Sequence, residues 1–230
     1  MKVFVGLGNP GDQYARNRHN IGFMALEALA SRHHAGNWQR KWQGRISEAT
    51  LGTERILLLM PQTYMNESGR SVAEAVRFHR IPPQDVVVFH DELDLAPGKV
   101  RVKLGGGVAG HNGLRSIRDC LGTPDYKRVR LGIGHPGHKD KVLGHVLGDF
   151  SKNDRLWLDP LLDALADAAP LLSAGDDAGF MNRVALLTAS PKAEKPPAAT
   201  TRQEPASSEP PGQSVPKKLL SSWLKRSGFS

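Results

Sequence analysis

Histidine, aspartate and asparagine side chains at the ends of apolar runs are the residues of this sequence best suited to chemistry. His19 follows the basic stretch Arg16-Asn17-Arg18, directly ahead of a helical pattern. Asp91 comes soon after the apolar run Val86–Phe89, so its carboxylate should emerge at the rim of a sheet, beside loops. An imidazole held by a carboxylate is the usual general base near neutral pH. The carboxylate fixes the tautomer and favours the imidazolium formed when a proton is taken. Each residue also has a plainer reading: a histidine ahead of a helix caps it, and Asp91-Glu92-Leu93-Asp94 is turn-like. Asn9, Asn66 and Asn112 lie in three polar or glycine-rich loops. A carboxamide is a neutral donor and acceptor, able to bind a peptide's amides or to steady a developing oxyanion.

Other chemistries fit less well. No Gly-x-Ser-x-Gly elbow occurs, and the single cysteine, Cys120, is expected mid-helix on an apolar face. A covalent nucleophile is therefore poorly supported, and water is the expected nucleophile. His90, Asp91, Glu92 and Asp94 are ligand types, but the spacing is otherwise wrong for a metal site, so no metal is expected. Gly6-Leu7-Gly8-Asn9-Pro10-Gly11 matches the dinucleotide-binding pattern G-x-G-x-x-G after a strand. That pattern needs a helix opening at the third glycine and a second strand ending in an acidic residue. Asp12–Arg18 has no apolar helical face, and residues 30–40 offer no such strand. No nucleotide cofactor is expected; the glycines and Pro10 read as a sharp loop presenting Asn9.

The charge balance suits a polyanion partner and, equally well, an ordinary solvated basic surface. The chain carries 31 Lys+Arg against 23 Asp+Glu. Residues 1–150 hold 21 basic and 14 acidic side chains, residues 151–190 hold 3 and 6, and residues 191–230 hold 7 and 3. Lys99, Arg101 and Lys103 share one strand face, and Lys127, Arg128, Arg130, His135, His138, Lys139 and Lys141 follow, a candidate phosphate-contact stripe. No RNA-recognition signature with surface aromatics accompanies it. The longest aliphatic stretch, Ile56–Met60, is far short of the ~20 residues of a membrane span. Asn9-Pro10-Gly11-Asp12 cuts the apolar start before it resembles a signal peptide, so a cytoplasmic location is expected.

The elements that must position these residues alternate in type. Strands are expected over Lys2–Leu7, Arg45–Leu51 and Glu54–Met60 (a hairpin about Gly52-Thr53), Asp85–Phe89, Lys99–Leu104 and Arg128–Ile133. Helices are expected over Asn20–Ser31, Glu67–His79, Leu114–Leu121, Asp154–Ala169 (kinked or split near Pro160) and Asp176–Thr188. The fold class is α/β, a single globular domain over residues 1–190 with a mixed central sheet flanked by helices. Seven of the sixteen prolines lie in residues 191–230, and Leu, Ile, Val and Phe are missing from 191 until Val215. Residues 191–216 are expected to be disordered, because they cannot bury enough apolar surface. Residues 217–229 regain Leu219, Leu220, Trp223 and Leu224 among basic residues, the pattern of a short amphipathic helix.

Taken in order, several of these segments resemble one family. Gly6–Gly11, Arg18-His19-Asn20, Gln62–Gly69, His90–Asp94, Lys103–Gly107, Gly110–Leu114 and Arg130–Gly137 are similar to the successive motifs of bacterial peptidyl-tRNA hydrolases, over about residues 1–188. The resemblance implies hydrolysis of the ester joining a peptide to the terminal ribose of tRNA, recycling peptidyl-tRNA from stalled ribosomes. It implies that His19 is the base, Asp91 its supporting carboxylate, and Asn9 a discriminator of blocked from free aminoacyl ends. It further implies that Tyr14, Tyr64, Asn66 and Asn112 contact the acyl and terminal adenosine part, that Met65 lines the cleft, and that Lys103 and Arg130 face the tRNA. Either Asn66 or Asn112 would steady the oxyanion. No cofactor, metal or membrane is called for; tRNA is the expected partner, and the protein is expected to be a monomer. Val108-Ala109 departs from the family's frequent His-Gly, which should stiffen that loop, and the Pro-rich tail lies outside the common core. A non-catalytic RNA-binding protein on the same fold would be favoured if His19 or Asp91 were replaced, and a serine-type esterase lacks its nucleophile.

Overall fold

The computed structural model describes residues 1–189; the segments 191–216 and 217–229 lie outside the described residues. Seven strands form one mixed sheet in the order β2-β3-β4-β1-β5-β7-β6. They are β1 (Lys2–Gly6), β2 (Gln39–Lys41), β3 (Gly44–Leu51), β4 (Glu54–Pro61), β5 (Val86–Glu92), β6 (Val100–Leu104) and β7 (Lys127–Gly132). β1 runs parallel to β4 and β5, and β5 parallel to β7. β2, β3 and β6 pair antiparallel with their neighbours. The parallel strands are covered on both faces, which is why Ile56–Met60 and Val86–Phe89 are unbroken apolar runs.

Two layers of helices sandwich the sheet. α1 (Ile21–Arg32), α5 (Arg155–Ser173) and α6 (Asp177–Thr188) pack on the face carrying Phe4, Leu58 and Phe89. α2 (Ser68–His79) and α3 (Asn112–Leu121) pack on the face carrying Val5, Leu57 and Val88. The short α4 (Val142–Val146) follows the loop after β7. Gly6, at the end of β1, and Gly22, in the first turn of α1, work by close packing. A Cβ on Gly22 would collide with Phe89 O and Leu7 N, and one on Gly6 with Gly22 O. Their absence lets the turn that carries His19 settle onto the strand ends. Gly11 lies at φ 107 and is followed by a single 3-10 turn, so no α-helix opens at the third glycine of the G-x-G-x-x-G pattern.

Two expectations need correction, and one strand was not expected. α5 is continuous from Arg155 to Ser173, with Pro160 and Pro170 inside it rather than splitting it. Each proline frees the carbonyl four residues before it. The carbonyl of Leu156 is on a residue that is 82% exposed, and that of Ala166 accepts a bond from His33 Nε2 at 2.7 Å. Cys120 is exposed, because α3 buries Leu114 and Ile117 and the cysteine falls on the flank of that stripe. β2 was not expected; its three residues are all exposed and it is held by pairing with β3.

Candidate active site

The carboxyl ends of β1, β4, β5 and β7 lie along one rim of the sheet, the usual place for a site in such folds. β5 ends in His90-Asp91-Glu92, all buried. The turn leading α1 brings His19 to this rim from one face, and the loop leading α3 brings His111 from the other. Both rings meet the same oxygen: His19 Nδ1 lies 2.8 Å and His111 Nε2 3.1 Å from Asp91 Oδ1.

Protonation is set by the partners. His111 Nδ1 accepts from the backbone N–H groups of Gly113 (3.1 Å) and Leu114 (3.4 Å), capping α3. Its proton therefore sits on Nε2 and is donated to Asp91. Asp91 is an acceptor only, so His19 donates through Nδ1 and keeps a lone pair on Nε2, which has no hydrogen-bond partner among the described residues. Burial pushes the Asp91 carboxyl up, but the electrostatic attraction and N–H donors of the His19 and His111 rings facing it outweigh that and hold the group well below the usual carboxylate range. His90 donates through Nδ1 to Asp91 O at 2.7 Å, and burial, aided by His111, pushes it down to about 3. It is therefore a neutral ring. The three imidazoles pack in series, His19 tilted by 43° against His111 with centroids 4.9 Å apart, and His90 edge-on to His111 at 5.1 Å.

His19, Asp91 and His111 place ligand-type atoms within 4.8 Å of one another. The donor set does not suit a cation, because the capping role of His111 Nδ1 leaves a proton, not a lone pair, facing Asp91.

Asn9 is built into the rim. Asn20 Oδ1 accepts from Asn9 N and Asn20 Nδ2 donates to Asn9 O, both at 2.9 Å. Asn9 Oδ1 accepts from Met65 N at 2.8 Å, which leaves the Asn9 Nδ2 donor for a ligand. Met65 is buried against Gly113 beside His111. Tyr14 is half-buried, and Tyr64 and Asn66 are exposed on loops of the same rim. A cleft of about 580 Å³ opens beside His19 and Asp91, and its walls include His111, Asn112, Lys103 and Arg130. Asn9, Tyr14, Tyr64, Met65 and Asn66 are outside this lining.

The basic stripe is smaller than expected. Lys103 is exposed at the cleft, and Arg130 lines it with Nε on Glu92 Oε2 at 2.7 Å. Lys127 pairs with Asp177. Arg128 is 3% exposed and donates to the carbonyls of Gly106 (2.9 Å) and Gly107 (2.6 Å), so it anchors the glycine-rich loop from within. Ala109, in the same loop, is held at φ 43, a left-handed conformation that costs a residue with a Cβ about 1–2 kcal/mol. Sequence reasoning missed the roles of His111, Arg128, Glu92 and Asn20. Only His111, beside Asn112 after the glycine run, stood where a signal was visible.

A carboxylate-fixed imidazole with a free Nε2, at the rim of an α/β sheet and opening on a cleft with basic walls, is an arrangement chemically able to take a proton from water beside an anionic ligand. The chain belongs to the peptidyl-tRNA hydrolase family, whose profile matches residues 3–195. It is 56% identical to a peptidyl-tRNA hydrolase of Dinoroseobacter shibae over 233 residues, covering 98% of this chain and 97% of the relative. It is 68% identical to one from a Methylobacterium species over 186 residues, covering 81% and 91%. The crystal structure of peptidyl-tRNA hydrolase from Acinetobacter baumannii matches with a TM-score of 0.75 at 40% identity, covering 80% of this chain and 94% of that one.

Proposed function

We propose a mechanism for the reaction that family membership brings to this chain, hydrolysis of the ester between a peptide and the terminal ribose of tRNA. Water attacks the ester carbonyl while His19 Nε2 takes its proton. Asp91 holds the ring and stabilises the imidazolium. The tetrahedral oxyanion is steadied by a carboxamide, and Asn112, in the cleft beside His19, is better supported than Asn66. As the intermediate collapses, His19 returns the proton to the leaving ribose oxygen, releasing a peptide carboxylate and tRNA. Asn9 Nδ2 donates to the blocked residue's acyl carbonyl, which a free aminoacyl end lacks. Tyr14, Tyr64, Met65 and Asn66 frame the acyl and adenosine end, and Lys103 and Arg130 receive the tRNA phosphates. The observation that carries this reading is the shared Asp91 oxygen, which leaves His19 Nε2 free to act as a base.

The enzyme works as a cytoplasmic monomer without metal or cofactor, releasing tRNA from peptides dropped by stalled ribosomes. Among the described residues no helix is long and apolar enough to cross a membrane. Residues 1–190 form the catalytic unit, so truncation after Ser190 should leave cleavage of a minimal blocked substrate near normal. Loss of that cleavage in a folded truncation would move the boundary. The decisive assay is release of tRNA from N-acetylaminoacyl-tRNA, with free aminoacyl-tRNA as control. His19→Ala should lower turnover by roughly 10² to 10⁴, with binding of uncharged tRNA kept. Near-normal turnover would remove His19 from the mechanism.

A further inference from the structure

Buried charges in folded proteins are nearly always paired with an opposite charge. On β7, Lys127 pairs with Asp177 and Arg130 with Glu92. Arg128, between them in sequence, is 3% exposed and has no carboxylate partner among the described residues. Its guanidinium carbon lies 4.8 Å from the Tyr126 ring centroid, and its two terminal nitrogens donate to Gly106 O and Gly107 O. Its Nε is buried without a hydrogen-bond partner. A buried cation in this state costs the fold free energy, so its presence calls for a reason other than stability.

The loop that Arg128 grips has little shape of its own. Gly105, Gly106, Ala109 and Gly110 all have positive φ. A glycine-rich segment reaches such angles freely and leaves them as freely, so a contact from outside must select one arrangement. The two ends are held by backbone bonds: Gly105 N donates to Tyr126 O at 3.1 Å, and Val108 O accepts from His111 N at 2.8 Å. Between them, Arg128 is the only donor to Gly106 O and Gly107 O among the described residues. The C=O and N–H of a trans peptide point in opposite directions. With those two carbonyls turned in to Arg128, the N–H groups of Gly107 and Val108 are both turned away from it. Neither donates to an acceptor among the described residues, and both residues line the cleft beside His19. Successive N–H groups facing one way are a ready-made pair of donors.

We propose that Arg128 is a positioning residue: its planar fork holds two carbonyls of the glycine-rich loop and so presents the Gly107 and Val108 N–H groups to the part of the substrate that lies against the loop. This rests on the peptidyl-tRNA reading above. A guanidinium holds two acceptors at a fixed spacing, which a lysine ammonium does not. The loop is then in shape before substrate arrives, and binding need not order it. Arg128 makes no hydrogen bond to the base or its carboxylate. His19 is fixed by Asp91, and His111 by its own capping bonds. Loss of the fork therefore acts on binding and leaves the chemical step alone.

The test uses the full chain and release of tRNA from N-acetylaminoacyl-tRNA. Arg128→Met keeps the length of the stem and removes both fork and charge. KM should rise roughly tenfold, because only a fraction of the molecules then presents the donors, while kcat stays within about twofold. The thermal midpoint should hold or rise, because a buried charge without a partner is gone. Arg128→Lys keeps the charge without the fork, so its KM should stay raised. In Arg128→Ala, millimolar methylguanidinium should bring KM back toward the parent value, and sodium chloride at the same ionic strength should not. Circular dichroism establishes that each variant is folded; the Lys and Ala variants decide the matter where Arg128→Met does not fold. A lower midpoint with unchanged KM would make Arg128 a structural anchor alone and overturns the proposal. A fall in kcat at unchanged KM, or full recovery in Arg128→Lys, overturns it as well. Failure of the parent protein to cleave N-acetylaminoacyl-tRNA would instead overturn the peptidyl-tRNA reading itself.

Discussion

Asp91→Asn removes a charge but keeps an acceptor, and His111 decides how the introduced amide is oriented. Both histidine donors meet one oxygen, Oδ1. A carboxamide that put its nitrogen there would require both rings to become acceptors at that point. His111 cannot comply, because its Nδ1 is occupied by the Gly113 and Leu114 N–H groups and its proton stays on Nε2. The amide must present its oxygen, and His19 keeps its Nδ1 proton and its free Nε2. The loss is then the charge assistance of the His19 bond. Charged hydrogen bonds contribute about 1.5–3 kcal/mol and neutral ones about 0.5–1.5, a difference of about 1–2 kcal/mol. In turnover that is roughly 5- to 30-fold. Adding His111→Phe frees the amide to turn its nitrogen inward and puts His19 in the wrong tautomer. The combined loss should then approach about 10⁴, the scale of a catalytic histidine misprotonated in this way. Single-turnover release of tRNA from N-acetylaminoacyl-tRNA, with near- and far-ultraviolet circular dichroism on each variant, measures both. A loss of about 10³ or more from Asp91→Asn alone would refute the tautomer lock. So would a double variant whose loss is only the product of the two single ones.

Three further outcomes are expected. Asn9→Ala removes the acceptor of Met65 N and the free Nδ2 donor; the ratio of kcat/KM between blocked and free aminoacyl-tRNA should narrow by the equivalent of about 1–3 kcal/mol. Equal losses on the two substrates would reduce Asn9 to a shaper of its loop. His90 is neutral in the fold, with a value of about 3 against an ordinary 6.5, and takes up a proton on unfolding. Its contribution is complete above 6.5 and is lost as pH falls toward 3, by up to about 1.4 kcal/mol per pH unit. Urea unfolding across that window should show this slope, and His90→Phe should flatten it; an unchanged slope would assign the acid sensitivity to other groups. Lys103→Ala should raise KM, leave turnover alone and flatten the log–log salt dependence by roughly 0.7 to 0.9. Lower turnover with an unchanged salt slope would contradict a phosphate role.

The alternation of elements was legible because the central strands, buried on both faces, must be unbroken apolar runs, and the hairpin about Gly52 announced its own turn. β2 was not: Gln39-Arg40-Lys41 has no apolar face, and its strand conformation comes wholly from pairing with β3. α5 misled through Pro160, because the carbonyl it frees, that of Leu156, is on a largely exposed residue and needs no partner from the fold. At the site, strand-end context marked Asp91 and Asn9 out and helix-leading position marked His19. The capping bonds that fix the His111 tautomer could not be read, because they depend on how α3 is set against β5. The Arg128 clamp on the glycine-rich loop was hidden for the same reason, and its charge was counted toward a surface stripe it does not join.

Asp91 lies on β5, an interior strand whose neighbours are β1 and β7, in register with Leu131 of β7. Amide hydrogens of such a strand exchange only when the whole domain opens, whereas those of loops exchange through small local openings. By this reasoning the Gly105–Gly110 loop and α4, at the cleft, fall in the second kind, and the strand that carries Asp91 in the first. In deuterated water, substrate should therefore slow exchange in the loop and α4 while leaving β5 untouched, already at the limit set by global unfolding. The walls of the cleft can then rearrange many times over the lifetime of the fold without moving the Asp91 carboxylate.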